Sequence, residues 1–187
     1  MAIVFNLQTR FSAEELFSMP SDEHFELIRG ELRESKMPTG YEHGKLTFAI
    51  GLKIGAFVES NNLGECFAAE TGFLVARDPD TVLAPDFAFL RAENVPAETT
   101  RGYVRAVPDL VLETRSPSDQ PREVAEKVEA WLDAGVSMVL ELNPATQILC
   151  VHRSDASVLE LGPDDVFDGA DILPGFTLPL STLFPIA

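Results

Sequence analysis

Asp109-Leu110-Val111-Leu112-Glu113-Thr114 decides the fold. Three successive aliphatic residues end in one carboxylate. Strand side chains alternate between two faces, so a strand that is apolar on both must be covered on both. The segment is therefore expected to be a central strand, with Glu113 its lone charge. Downstream, Ser116-Pro117-Ser118-Asp119 reads as a loop. It leads into a helix over about 121–134, with Pro121 in its first turn, Gly135 as its stop and Val124, Val128, Trp131 and Leu132 on its buried face. Two strands, Val136–Leu142 and Gln147–His152, follow through Asn143-Pro144-Ala145-Thr146, and the Pro- and Gly-containing tail around Leu173-Pro174-Gly175-Phe176 is expected to pack as irregular chain.

Upstream, Asp86-Phe87-Ala88-Phe89-Leu90 is a second apolar strand entered through Pro85, joined to the first by a polar connection over 92–105. Cys66–Ala69 and Thr71–Ala76 read as strands, with a turn at Asp78-Pro79-Asp80. From Tyr41 to Ser60, Leu46, Phe48, Ile50, Ile54, Phe57 and Val58 recur at helical spacing, predicting a long helix ended by Asn61-Asn62-Leu63-Gly64. Phe25–Leu32 reads as a hairpin turning at Arg29-Gly30. Ser12 and Glu15 form a capping-box pattern for a short helix before Pro20. This order predicts an α/β (mixed α+β) fold: one domain over 1–187, core about 22–161, with a mixed central sheet flanked by helices and preceded by a helix and hairpin.

The 187 residues are 45% apolar and 24% charged, ordinary values for a folded domain. No apolar run approaches the ~18 residues that cross a bilayer, so no membrane partner is expected. Met1–Asn6 lacks a basic leader, and Cys66 and Cys150 are too few for a disulfide scaffold; a cytoplasmic location is expected. Thirty acidic residues against fourteen basic ones leave a net charge of −16, which repels nucleic acid at long range. Any contact with DNA must then be local or offset by a cation.

Asp86 shares a face with Ala88, opposite Phe87 and Phe89. A lone ionised carboxylate in an apolar strand is costly unless paired, hydrogen-bonded or bound to a metal. Two such residues on neighbouring strands could face one hard cation, the minimal equipment for metal-assisted phosphodiester hydrolysis. An Asp after Pro also caps turns, however, and a strand Glu also pairs with Arg.

Several segments together carry a resemblance: Phe25–Glu31, Glu42-His43-Gly44, Leu83–Phe89, Pro108–Glu113, Ser116–Asp119, Glu126-Lys127-Val128 and Ala134-Gly135-Val136. In this order, over about residues 25–180, they resemble the Uma2 family, also called DUF820, of proposed endonucleases. Pro85-Asp86, followed after 26 residues by Glu113-Thr114-Arg115, is similar to the PD-(D/E)XK signature. The resemblance implies a restriction-endonuclease-like core, a divalent cation (Mg²⁺ or Mn²⁺), and Asp86 and Glu113 as its carboxylate ligands. Arg115 occupies the signature's lysine position; a guanidinium stabilises phosphate charge but cannot act as a base. Lys127 on the following helix is the implied substitute, although it also suits a surface pair with Glu123.

Further candidates are Glu31, which the family's early Glu suggests and for which Glu26 competes, Glu70 on the neighbouring strand, and His43 at the start of the long helix. His24 and His152 suggest no role. The leading expectation is a metal-dependent endonuclease that hydrolyses DNA, working as a homodimer because cutting both strands commonly needs two copies. The alternatives are an inactive nuclease-like scaffold serving as a protein- or nucleic-acid-interaction module, and a hydrolase of another phosphorylated substrate. A local basic rim would separate the first two; Arg29, Arg33, Lys36, Lys45, Arg115 and Arg122 are its candidates.

Overall fold

A computed structural model describes residues 10–20, 24–34, 39–97 and 101–184. The capping box forms: Glu15 N–H donates to Ser12 Oγ and Ser12 N–H to Glu15 Oε2, opening helix α1 (Ala13–Phe17). Strands β1 (Phe25–Ile28) and β2 (Glu31–Glu34) pair as the expected hairpin. Arg29 and Gly30 both have positive φ, 51° and 81°, the backbone of a tight two-residue turn.

Helix α2 (Tyr41–Asn61) buries Leu46, Ile50, Ile54 and Val58, and ends at Asn62 in the left-handed conformation. Burial of four aliphatic side chains, each worth about 1.5–3 kcal/mol, outweighs Gly44, Gly51 and Gly55 at about 1 kcal/mol each. Gly51 allows close approach, since a Cβ there would lie 3.1 Å from the Phe87 ring. Phe48 departs from the expected stripe and is 69% exposed. It lies two positions, about 200° of helical rotation, from both Leu46 and Ile50. Phe57 is only partly buried, packed against the core.

Strands β3 (Gly64–Ala68), β4 (Phe73–Ala76), β5 (Thr81–Leu83), β6 (Phe87–Arg91) and β7 (Leu110–Thr114) precede helix α3 (Pro121–Asp133). Strands β8 (Met138–Asn143), β9 (Ile148–Arg153) and β10 (Val158–Leu161) follow it. The main sheet has the order β10-β9-β8-β7-β6-β3; only β7 and β8 are parallel, so the sheet is mixed and β7 central, as expected. One face packs on α2 through Phe89, Leu110, Leu112 and Leu140. The other packs on α3 through Ala88, Val111, Val139 and Trp131.

The sequence left the pairing of β3 and β4 open, and its expectation for the tail is overturned. Strands β3 and β4 do not pair with each other; β4 joins β5, β1 and β2 in a second, four-stranded sheet whose Phe73 and Leu83 enter the α3-side core. The tail is not irregular: β10 extends the main sheet, and β11 (Val166–Asp168) pairs with β12 (Thr177–Pro179). That hairpin brings Phe167, Leu173, Phe176 and Leu178 into the α2-side core. No helix among the described residues is long and apolar enough to cross a membrane.

Gly64 starts β3 at φ 149°, and a Cβ there would fall 2.0 Å from the Leu90 carbonyl oxygen. Gly64→Ala should therefore cost at least about 2 kcal/mol, because backbone cannot yield as a side-chain tip can. A fall in the urea midpoint checks this.

Candidate metal centre

The β6–β7 ladder brings the two signature carboxylates near each other. Ala88 pairs with Val111 in an antiparallel register. The regular register ends at Phe87: Asp86 precedes β6 in a bend and its N–H bonds Leu112 O (3.1 Å), one residue out of register, yet Asp86 lies close enough to raise Glu113 electrostatically. Glu113 shares the α3 face with Val111, whereas Asp86, in the bend before β6, meets the β7 backbone and α2. Asp86 Oδ2 accepts the Thr114 N–H at 2.7 Å and contacts His43 Nε2 at 3.2 Å. Glu113 Oε1 accepts the Trp131 indole N–H at 2.8 Å.

Lys127 reaches the same point from the second turn of α3. Its Nζ lies 3.0 Å from Glu113 Oε2, 3.1 Å from Glu26 Oε1 and 3.1 Å from Ala84 O. An ammonium has three protons, and all three are committed. Lys127 thus holds Glu113 and Glu26 in place, and would have to release one of them to touch a phosphate. Glu26 also accepts the Ala84 N–H at 2.7 Å, fixing the backbone two residues before Asp86.

Burial pushes Glu113 up to about 8, with Asp86 and Glu26 adding to the rise and Lys127 opposing it. Desolvation works against a charge on Lys127, but Glu113 and Glu26 overcome it and hold the ammonium protonated above its ordinary range. Desolvation also lowers His43, yet the Asp86 carboxylate reverses this and leaves the imidazole above its usual value. His43 Nδ1 is buried without a hydrogen-bond partner.

Two carboxylates thus meet one ammonium with a third, Asp86, close by, an excess of hard oxygen donors and negative charge. That donor set fits a hard divalent cation, with Asp86 and Glu113 as the residues that would hold it. A stability consequence follows. Glu113's folded value lies above its ordinary 4.5. Its contribution is fully present below pH 4.5 and is lost as pH rises towards about 8. In chelator, the unfolding midpoint should fall between those limits. Adding Mn²⁺ at about 100 times its dissociation constant should restore about 2.7 kcal/mol at the alkaline end.

The remaining sequence candidates divide. His43 enters the site through Asp86. Glu70 lines the cleft, but from a turn after β3, where it is exposed with φ 68°. Glu31 is not brought to the site; it bonds Arg33 Nη2 at 3.1 Å. It shares a face with Glu26 but lies one strand further out, beside the hairpin tip, because Ile28 pairs with Glu31 and Glu26 with Arg33. Glu26, the competing acid, takes the place expected of Glu31. Arg115 is turned to Glu141, its Nε 2.6 Å from Oε1. Trp131 was legible only as a core residue; nothing in the sequence marked its indole as a Glu113 donor.

The centre lies in a cleft of about 1250 Å³. Of the basic-rim candidates, Arg33, Arg115 and Arg122 line it. Arg29 pairs instead with Asp133, Lys45 sits over the Tyr41 ring, and Lys36 is outside the described residues. Among the described residues four cations, counting Lys127, face nine carboxylates around the cleft, so those residues form no strong basic rim.

The Uma2 family, described as "Putative restriction endonuclease", matches residues 13–181. The chain belongs to the Uma2 family. A solved structure, a putative nuclease belonging to DUF820 from Anabaena variabilis ATCC 29413, is 20% identical in sequence. It matches 93% of this chain and 97% of its own length with a TM-score of 0.79, and so shares the fold of this Uma2 chain. No curated protein matches the chain.

Proposed function

We propose that this Uma2 chain is a divalent-cation-dependent endonuclease that hydrolyses DNA phosphodiester bonds, with Asp86 and Glu113 holding Mg²⁺ or Mn²⁺. The observation that carries this reading is the closeness of Asp86 and Glu113, felt electrostatically beside one ammonium that Glu113 and Glu26 already share, within an open cleft. When bound, the cation supplies Lewis acidity and a more acidic water. Asp86 is held by the Thr114 N–H and His43, and Glu113 by Trp131 and Lys127, so both present defined oxygens. Lys127, fixed as a cation, balances charge and orients Glu113, and can donate a proton bond to phosphate only by leaving one of its three acceptors. His43 orients Asp86. A cytoplasmic site of action and pairing of two copies belong to this reading, since one such centre per chain cuts one strand at a time.

A second reading, a scaffold without catalysis, is favoured by one observation, the excess of carboxylates over cations around the cleft. Supercoiled plasmid incubated with the protein and Mn²⁺, alongside calorimetric Mn²⁺ titration, separates the two. Nicking that needs Mn²⁺ and stops with chelator supports the nuclease. Binding without nicking supports the scaffold or another phosphorylated substrate. No binding sinks the metal centre itself.

A further inference from the structure

On the far side of Glu141 from Glu113, a different donor set gathers. Glu113 pairs with Glu141 across the parallel β7–β8 ladder, and Glu141 pairs with Cys150 across the antiparallel β8–β9 ladder. His152, two residues beyond Cys150, faces the same way. A carboxylate oxygen, a thiol sulfur and an imidazole nitrogen lie within 4.8 Å of one another, buried or half-buried. His152 Nε2 is 2.9 Å from Glu141 Oε2. Glu160 pairs with Cys150 from β10, so the thiol sits between two carboxylates. The nearby cation, Arg115, approaches Glu141 closely, but its buried Nε makes no hydrogen bond.

We infer that Glu141, Cys150 and His152 form a second metal site, selective for a thiophilic ion of the zinc class. Mixed sulfur, nitrogen and oxygen donors suit Zn²⁺ or Co²⁺ in a tetrahedral site with three protein ligands, whereas Mg²⁺ and Mn²⁺ prefer oxygen. The fourth position falls to solvent or to Glu160, which the register brings within reach. Binding displaces the Cys150 thiol proton to solvent, and the ion competes with Arg115 for Glu141. The two centres therefore select different ions from adjacent positions on one sheet face.

Co²⁺ titration of the reduced, full chain tests this, because a thiolate–cobalt charge-transfer absorption reports sulfur ligation and is silent for a carboxylate site. The band should rise to one equivalent in the wild type, persist in Cys66→Ser and Asp86→Ala, and vanish in Cys150→Ser. His152→Ala should weaken Co²⁺ binding at least about tenfold. A wild type without the band overturns the proposal whether or not any variant folds, and leaves a hydrogen-bonded ion network in its place. A band that survives Cys150→Ser overturns it equally.

Discussion

Glu113→Gln is expected to lower Mn²⁺-dependent nicking by about 10³-fold or more while the protein stays folded, because a cation at such a site supplies several kcal/mol of charge stabilisation. The amide keeps an oxygen for the Trp131 indole, so the buried donor is not orphaned. It also removes the carboxylate that burial has pushed up to about 8. The amide Nε2 then faces the Lys127 ammonium that Glu113 Oε2 had accepted, so stability should fall by about 1–3 kcal/mol, the cost of a buried donor left without its acceptor. Asp86→Ala should match it in activity, but gives up the acceptor of the Thr114 N–H and the partner of His43, and so should also lose stability. Plasmid nicking, Mn²⁺ calorimetry and urea unfolding on the same samples check all three points. A Glu113→Gln protein that still nicks would remove Glu113 from the chemistry.

The largest stability effect is expected for Lys127→Met. Deleting one partner of a buried ion pair costs about 3–5 kcal/mol, because the remaining charges have no compensation. Here Glu113 and Glu26 would be left facing each other beside Asp86. The cost has a pH sign. Without the ammonium that lowers it, Glu113 is pushed further up than in the wild type, so the loss is smaller where its carboxyl is protonated and grows as pH rises past the wild-type value of about 8. Adding Glu26→Gln should recover part of it, since the amide oxygen still accepts the Ala84 N–H while one charge disappears. The two changes should be non-additive, as expected for groups in contact. Chelator-treated urea curves at pH 6 and pH 9 make the comparison. A Lys127→Met cost under about 1 kcal/mol at pH 9 would mean that Glu113 and Glu26 do not share this ammonium.

Much of the site was legible because strands write their geometry into sequence. Asp86 and Glu113 stood out as lone charges in apolar runs, although Asp86 sits in a bend just before β6 and not within the strand. Lys127 came only through the family resemblance, since its helical position alone fitted a surface pair equally well. The choice between Glu26 and Glu31 was not legible, because both sit on one face of a hairpin and only the position of that hairpin over β5 selects Glu26. Phe48 was misplaced because a run of apolar residues blurs the helical stripe when each residue is read singly. The tail was misjudged because Pro and Gly mark its turns, while the pairing of Val166–Asp168 with Thr177–Pro179 is non-local.

By itself, the sequence determined the central strand, the two long helices and the hairpin, and marked Asp86 and Glu113 as lone charges, since each rests on local periodicity, capping or alternation. Only the tertiary structure decided which groups surround those carboxylates. Glu26, His43, Trp131 and Lys127 come from three elements, β1, α2 and α3, and meet through packing. The Glu141–Cys150–His152 cluster likewise exists only once the β8–β9 register is set. Local signals act over a few residues, whereas a shared charge or ligand site depends on distances between segments that no local pattern encodes.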